Sequence, residues 1–190
     1  AFATHLVLPV GNLHTVPEAV PDEVAVFTEP TAAALQLQEQ VRVSPGDRVV
    51  VIGVGKLGNL VAQTLAATGC RLLAVGRNPR PLALLSAHGI RTATADGIEP
   101  RQADLAVECT GGPEGLELAR RAVLPRGTIV HKSTYHGKVA IDMAPFLVDE
   151  ITLVGSRCGP FAPALASLAR GDVDPRPLVE ARYPLAEAVA

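Results

Sequence analysis

Residues 49–60, VVVIGVGKLGNL, join an apolar run to three glycines spaced as G-x-G-x-x-G. The β-branched run predicts a buried strand, and the leucines and valines after the glycines recur at helical spacing up to Gly69. A glycine turn between a strand and a helix is the context that the dinucleotide-binding fingerprint requires. A turn that serves packing alone is the alternative, and it leaves this arrangement unexplained.

Each residue of the glycine turn has an expected role in holding a dinucleotide. Gly53 permits the tight turn, Gly55 lets the backbone approach a pyrophosphate, and Gly58 lets the helix pack closely on the strand. Lys56 and Leu57 open the helix, whose free N–H groups and positive dipole end favour phosphate. The sequence therefore predicts cofactor-binding residues at Gly53, Gly55, Lys56, Leu57 and Gly58.

Strand and helix patterns alternate through the middle of the chain. Apolar runs predict strands at 48–52, 71–75, 104–109, 128–131 and 151–154, with a weaker one near 90–95. Helical patterns at 81–88 and 114–123 lie between them, and Pro125-Arg126-Gly127 predicts a turn. This alternation predicts an α/β fold with a doubly wound parallel (Rossmann) sheet.

Both ends of the chain have a different pattern. The segments HLVLPV and EVAVF, within residues 1–27, have the alternation of short β pieces. Residues 158–190 contain a predicted helix at 163–170, a predicted strand near 178–183 and the opening of a further helix. The chain does not begin with methionine. We expect both ends to belong to a neighbouring domain, with further sequence beyond them.

The composition excludes several classes of protein. The 190 residues are 48% apolar and 19% charged, with a net charge of −2 and no cluster of Lys and Arg, so no nucleic-acid partner is expected. The longest apolar runs are the length of a strand, so no membrane span is expected. Cys70, Cys109 and Cys158 lack ligand spacing, which predicts reduced, mostly buried thiols in a cytoplasmic protein.

The second predicted strand carries information about the ribose end of the cofactor. An NAD site usually has Asp or Glu at the end of this strand, whereas here Gly76 occupies that place and Arg77 and Asn78 follow. Without the acid there is no repulsion of a 2′-phosphate, and a guanidinium pairs with phosphate. The sequence therefore predicts NADP binding at these residues. The alternative is NAD, with Arg77 as a solvated surface residue.

Several motifs resemble the medium-chain dehydrogenase/reductase superfamily, the zinc-type alcohol and polyol dehydrogenases. VLPVGNLHTVPEAVPDEVAVFTEPTAAAL is similar to the passage from the catalytic domain into the cofactor domain, and VSPGDRVVVIGVGKLGNLVAQTLAATG to the fingerprint unit. ADLAVECTGG, LPRGTIVHKS and DEITLVGSRCG resemble the later strands of that domain. The resemblance covers essentially the whole chain, in the same order.

The resemblance implies a division of the chain into three parts. Residues 1–30 would end the first segment of a GroES-like catalytic domain, residues 31–157 would form the dinucleotide-binding domain, and residues 158–190 would return into the catalytic domain. The Cys and Gly-His-Glu segment that hold catalytic zinc in the zinc branch are not in this sequence. The chain would then be the cofactor-binding part of a longer enzyme whose parent form holds zinc.

Glu29 in FTEP matches a position that lies beside the zinc in sorbitol and glucose dehydrogenases, so it is a candidate metal residue. The alternative is that an acid at a helix start is favoured by the helix dipole. Thr110 and Gly111, which end the fourth predicted strand, would line the cofactor channel, and Arg157 would reach a cofactor phosphate or remain a charge at the domain edge. His131 follows the next strand, where a contact with the backbone is more expected than catalysis.

The resemblance implies an oxidoreductase that moves hydride between NADP(H), or alternatively NAD(H), and an alcohol, polyol or sugar-like carbonyl. A homodimer or tetramer formed through the Rossmann domain is also implied. Two alternatives remain open: a nucleotide-sensing module without catalysis, because the Rossmann fold serves both roles, and a zinc-free reductase of the same superfamily. The FTEP segment and the C-terminal return favour the enzyme, because a sensing module needs neither.

Overall fold

A computed structural model describes residues 3–134 and 138–187. Within them the strands are β1 (Arg48–Ile52), β2 (Arg71–Val75), β3 (Arg91–Ala93), β4 (Ala103–Glu108), β5 (Val123–His131) and β6 (Thr152–Gly155). They form one parallel sheet in the order β3-β2-β1-β4-β5-β6. The predicted Rossmann sheet is confirmed. The strand order reverses beside β1, which is where such sheets bind nucleotides.

Helices cover both faces of the sheet. They are α1 (Asp22–Ala25), α2 (Thr28–Gln40), α3 (Lys56–Ala66), α4 (Pro79–Ala87), α5 (Pro113–Ala122), α6 (Ala144–Val148) and α7 (Phe161–Arg170). Val49 and Val51 pack in one core with residues of α2, α3 and α7, whereas Val50 and Ile52 pack in a second core with α5. Strand β1 is therefore apolar without alternation because both of its faces are buried.

The predicted turn at Pro125-Arg126-Gly127 lies within a longer strand. Strand β5 begins at Val123, five residues before the predicted start at Thr128, and its register with β4 shifts between Ala103 and Leu105. Arg126 has a φ of 65° and its N–H donates to the carbonyl of Asp149 at 2.7 Å. The turn residues thus produce an irregularity at the amino end of the strand and do not precede it.

The β pieces predicted at both ends of the chain are wrong for the described residues. The segment EVAVF overlaps helix α1, which follows Pro21 and buries Val24, whereas Val26 after the helix is 73% exposed. HLVLPV pairs with no strand of the sheet. In place of the strand near 178–183 there is a 3-10 turn, Arg176–Leu178. The local cause is proline, which starts helical turns and donates no ladder hydrogen bond. The helix expected to open near the C-terminus is a 3-10 turn, Leu185–Glu187, with residues 188–190 outside the described part.

Both ends nevertheless contribute to the main core. Val20 and Val24 from the N-terminal side pack in the same cluster as Val173 and Leu178 from the C-terminal side. Their burial, at 2 to 7% exposure, fixes both segments against the helices on one face of the sheet. The C-terminal segment is thereby placed beside the carboxyl edge of β1.

Gly58 is required by packing between α3 and the turn below it. A Cβ at Gly58 would overlap the carbonyl oxygen of Gly53, which is backbone and cannot rotate away. We expect Gly58→Ala to lower the free energy of unfolding by about 3 kcal/mol or more, as for overpacking without relief. The measurement is the urea midpoint, with Gly46→Ala as the control because a Cβ there meets nothing within 4 Å. Equal midpoints for the two variants would contradict this account.

Candidate functional site: a cleft at the switch point

A cleft of about 830 Å³ lies beyond the carboxyl ends of β1, β2 and β4. It has the size of a pocket for a large organic ligand. Seven of the residues that the sequence predicted for cofactor binding line it: Gly53, Gly55, Lys56, Gly76, Arg77, Asn78 and Thr110. The fold therefore brings together predicted residues that follow the ends of three different strands, β1, β2 and β4.

The glycine turn forms the floor of the cleft. Gly53 has a φ of 90°, and a Cβ there would lie 2.7 Å from the backbone of Cys109. Gly55 is the N-cap residue of α3, and a Cβ added to it would meet nothing within 4 Å. The first glycine is thus fixed by packing, whereas the second leaves open space in front of a helix N-terminus. That space fits a pyrophosphate, because free N–H groups and the positive dipole end face it.

The end of β2 presents cations to the cleft. Gly76 directly follows β2, and a Cβ there would overlap the side chain of Val54, so packing also requires a glycine. Asn78 caps α4 by accepting a hydrogen bond from the backbone N–H of Arg80 at 3.1 Å. The side chains of Arg77 and Arg80 both belong to exposed residues that line the cleft. Arg77 and Arg80 therefore line the cleft beside Gly76, which occupies the place where an NAD site has a carboxylate.

The end of β4 is held by a buried carboxylate. Glu108 has no exposed surface, and its Oε1 accepts hydrogen bonds from the backbone N–H and the hydroxyl of Thr110, each at 2.6 Å. The N–H of Gly111 donates to Ser133 Oγ at 2.8 Å. The Nδ1 atom of His131 lies 2.9 Å from Glu108 Oε2. His131 thus contacts the side chain of Glu108, which the sequence analysis did not single out, and Glu108 in turn holds Thr110 at the cleft.

A further wall of the cleft comes from the C-terminal segment, at Pro177, Leu178 and Glu180. This segment is fixed to α3 by Gln63, whose Oε1 accepts from the N–H of Asp174 at 2.7 Å and whose Nε2 donates to its carbonyl at 3.3 Å. Lys56 Nζ lies 3.5 Å from Glu180 Oε2 across the cleft. Sequence reasoning missed this wall, although a polar Gln63 on the apolar side of a helix was a signal for it.

The remaining predicted residues lie outside the lining of the cleft. Leu57 and Gly58 lie in the first turn of α3, and Gly111 lies beside Thr110 at the β4 end. Arg157 is exposed after β6, and Glu29 is exposed in the first turn of α2. No group of three or more side chains able to hold a metal ion occurs within residues 3–134 and 138–187.

The curated proteins that this chain is similar to are polyol and sugar-acid dehydrogenases. It is 26% identical over 196 residues to a putative D-xylulose reductase from Agrobacterium fabrum. This alignment covers 96% of the chain and 56% of the relative. It is 26% identical to an L-idonate 5-dehydrogenase (NAD(P)(+)) from Escherichia coli, over 98% of the chain and 57% of the relative. It is 25% identical to a sorbitol dehydrogenase from Halalkalibacterium halodurans, over 98% of the chain and 60% of the relative. The chain thus spans between 56 and 60% of the length of these relatives.

Solved structures of dehydrogenases share the fold. The alcohol dehydrogenase TADH from Thermus superposes with a TM-score of 0.82 at 26% identity, over 92% of this chain and 55% of that one. Galactitol-1-phosphate dehydrogenase from Escherichia coli gives a TM-score of 0.84 at 23% identity, over 94% of this chain and 58% of that one. No protein-family model matches the sequence. Within the described ranges, no helix has the length and apolar character needed to cross a membrane.

Proposed function

We propose a function from the premise that this chain belongs to the medium-chain dehydrogenase/reductase superfamily, whose polyol and alcohol dehydrogenases are its homologues. The chain is the part of such an oxidoreductase that binds NADP(H) and holds it for hydride transfer. The observation that carries this proposal is the open space at Gly55, in front of the N-terminus of α3 and at the switch point of the sheet.

Different residues of the chain bind different parts of the cofactor. The N-terminus of α3 takes the pyrophosphate, and Arg77 and Arg80 take the 2′-phosphate of NADP. Thr110, held by Glu108, lines the path of the nicotinamide half at the β4 end. The bound cofactor supplies the hydride, and the chain supplies binding, orientation and a cleft of fixed shape.

The substrate class that we propose is a polyol, alcohol or the corresponding carbonyl compound. It rests on the names of relatives that are 25 to 26% identical and longer than this chain. The division at residues 30 and 157, a homodimer or tetramer and a cytoplasmic location stay predictions that rest on the resemblance and on the scattered cysteines. NAD remains the alternative cofactor, and a comparison of NADP⁺ and NAD⁺ binding by the wild type and by Arg77→Ala/Arg80→Ala distinguishes the two.

Zinc does not fit the described residues as a complete site. Glu29 is an exposed carboxylate, and the residues described supply no cluster of ligands around it. Structural zinc and catalytic zinc both require three or more protein ligands. A zinc ion of the whole enzyme would need ligands other than the described residues.

Cofactor binding is the direct test of the proposed function. We expect the purified chain to bind NADPH with a dissociation constant in the micromolar range, because the cleft is already formed and phosphate-binding groups face it. The measurement is the change in NADPH fluorescence on titration, with ADP-ribose as a competitor. If neither NADPH nor NADH binds at millimolar concentration, the proposal is wrong.

A further inference from the structure

Lys132 is a buried amine at the carboxyl edge of the sheet. It directly follows β5, is 8% exposed, and its Nζ donates to Ser156 Oγ at 3.0 Å. Burial lowers the pKa of Lys132. Within residues 3–134 and 138–187 no ion pair is found for this amine. A lysine kept out of water, whose acceptor among the described residues is the hydroxyl of Ser156, is costly and calls for a functional explanation.

The strand register places Lys132 on the same face of the sheet as a residue of the cleft. Glu108 pairs with His131, and His131 pairs with Gly155. Because successive side chains alternate between the faces, the following residues Cys109, Lys132 and Ser156 share the opposite face. Cys109 lines the cleft, and burial raises the pKa of its thiol to about 12, so it is neutral. The backbone N–H of Lys132 donates to the carbonyl of Glu108, the residue before Cys109, at 3.0 Å, so Cys109 and Lys132 lie at neighbouring strand ends.

The direction of the dinucleotide follows from the two phosphate sites. The pyrophosphate lies at Gly55, and the 2′-phosphate of the adenosine half lies beside Arg77 at the β2 end. A dinucleotide laid across the switch point then extends its other half over the ends of β4 and β5. The nicotinamide ring therefore comes to the side of the sheet edge where Cys109 and Lys132 lie. The ring carries a positive charge in NADP⁺ and none in NADPH.

We propose that Lys132 makes this cleft select the reduced cofactor: its buried ammonium group repels the cationic ring of NADP⁺ and leaves the neutral ring of NADPH unaffected. The inference rests on the proposed function and deepens it, because it assigns the preference between oxidation states to one side chain. A unit charge at a distance on the order of 10 Å, at an effective dielectric constant of about 20, corresponds to roughly a tenfold difference in affinity.

Glu108 is a second buried charged group at the ends of β4 and β5, and it lies on the opposite face of the sheet. Its carboxylate is engaged by the N–H and hydroxyl of Thr110 and by His131. Its field acts in the wild type and in a Lys132 variant alike. A comparison of the two proteins therefore isolates the lysine.

The test is the ratio of dissociation constants, Kd of NADP⁺ over Kd of NADPH, in the wild type and in Lys132→Met. Methionine has a similar length and no charge, so it fills the same buried space. We expect the ratio to fall about tenfold, mainly through tighter binding of NADP⁺. Arg126→Met is the matched control, because it removes one cation from the amino end of β5, where the side chain is 82% exposed. Its ratio should equal that of the wild type.

Each outcome decides a different claim. A wild type that binds neither form overturns the proposed function and this inference with it. Normal binding with the same ratio in wild type and Lys132→Met overturns this inference alone. If Lys132→Met does not fold, Ser156→Ala replaces it. Loss of the hydroxyl that accepts from Lys132 Nζ should shift the ratio in the same direction, by roughly threefold or more, because the buried ammonium group is no longer held by this hydrogen bond. No shift in that variant, or a wild type that binds NADP⁺ more tightly than NADPH, overturns the inference as well.

Discussion

Replacing Gly55 with valine is expected to weaken the binding of NADP⁺ and NAD⁺ by at least about a hundredfold without loss of the fold. Two charge-assisted hydrogen bonds from backbone N–H groups to a pyrophosphate are together worth about 3 kcal/mol, and 1.4 kcal/mol is tenfold in affinity. A branched side chain at Gly55 occupies the space that these contacts need. The fold should survive because a Cβ at this position meets nothing within 4 Å.

The measurement pairs calorimetric titration of both cofactors with a urea unfolding curve. Gly46→Val is the matched control, since Gly46 also has open space around it but lies in the turn before β1, outside the lining of the cleft. We expect the control to keep both its affinity and its urea midpoint. Unchanged cofactor affinity in Gly55→Val would show that the open space at this helix N-terminus does not hold the pyrophosphate.

Removing both arginines at the β2 end is expected to abolish the preference for NADP. In Arg77→Ala/Arg80→Ala the 2′-phosphate loses its charge-assisted partners, each partly exposed and together worth about 1.5–3 kcal/mol. We expect the Kd of NADP⁺ to rise about 10-fold to 150-fold while the Kd of NAD⁺ changes little. In the wild type, added salt should weaken NADP⁺ binding more than NAD⁺ binding, because exposed phosphate contacts are screened.

The control for this pair is Arg71→Ala/Arg91→Ala, which removes the same charge from the amino ends of β2 and β3, at the far edge of the sheet. It separates contact with the phosphate from a general loss of positive charge. Tighter binding of NAD⁺ than of NADP⁺ by the wild type would end the NADP assignment. Introducing an acid at Gly76 is a poorer experiment, because any Cβ there overlaps the side chain of Val54 and disturbs packing.

The central part of the fold could be predicted because its signals are local. The limits of β1 and β2 agree with the structure, since each strand is a continuous apolar run bounded by turn residues. The strand predicted at EVAVF is wrong because five residues of alternation are too few to distinguish a strand from one turn of helix. Here Pro21 favours the helix, which begins at the next residue. Short apolar segments take their structure from what they pack against.

The candidate site was predictable only where it is built from residues next to strands. Gly55, Arg77 and Thr110 follow the carboxyl ends of strands. Because ligands bind beyond these ends in a parallel sheet, the sequence was enough to predict them as site residues. Glu180 comes from a distant segment, and its approach to Lys56 depends on tertiary packing that no local pattern encodes. The sequence explains Gly76 only by the absence of a carboxylate. The structure adds a steric reason for the same glycine, because a Cβ there would overlap the side chain of Val54.

The bonds between Gln63 and Asp174 have a consequence for the order in which this chain folds. They join residues that are 111 positions apart, and the wall they hold completes the cleft. Contacts of such long sequence separation form late, because the entropy of closing the loop is lost before the contact contributes. Because synthesis runs from the N-terminus, the glycine turn also emerges long before the wall at Pro177, Leu178 and Glu180. The newborn chain therefore passes through a stage in which the sheet can assemble while the wall formed by Pro177, Leu178 and Glu180 is still missing from the cleft.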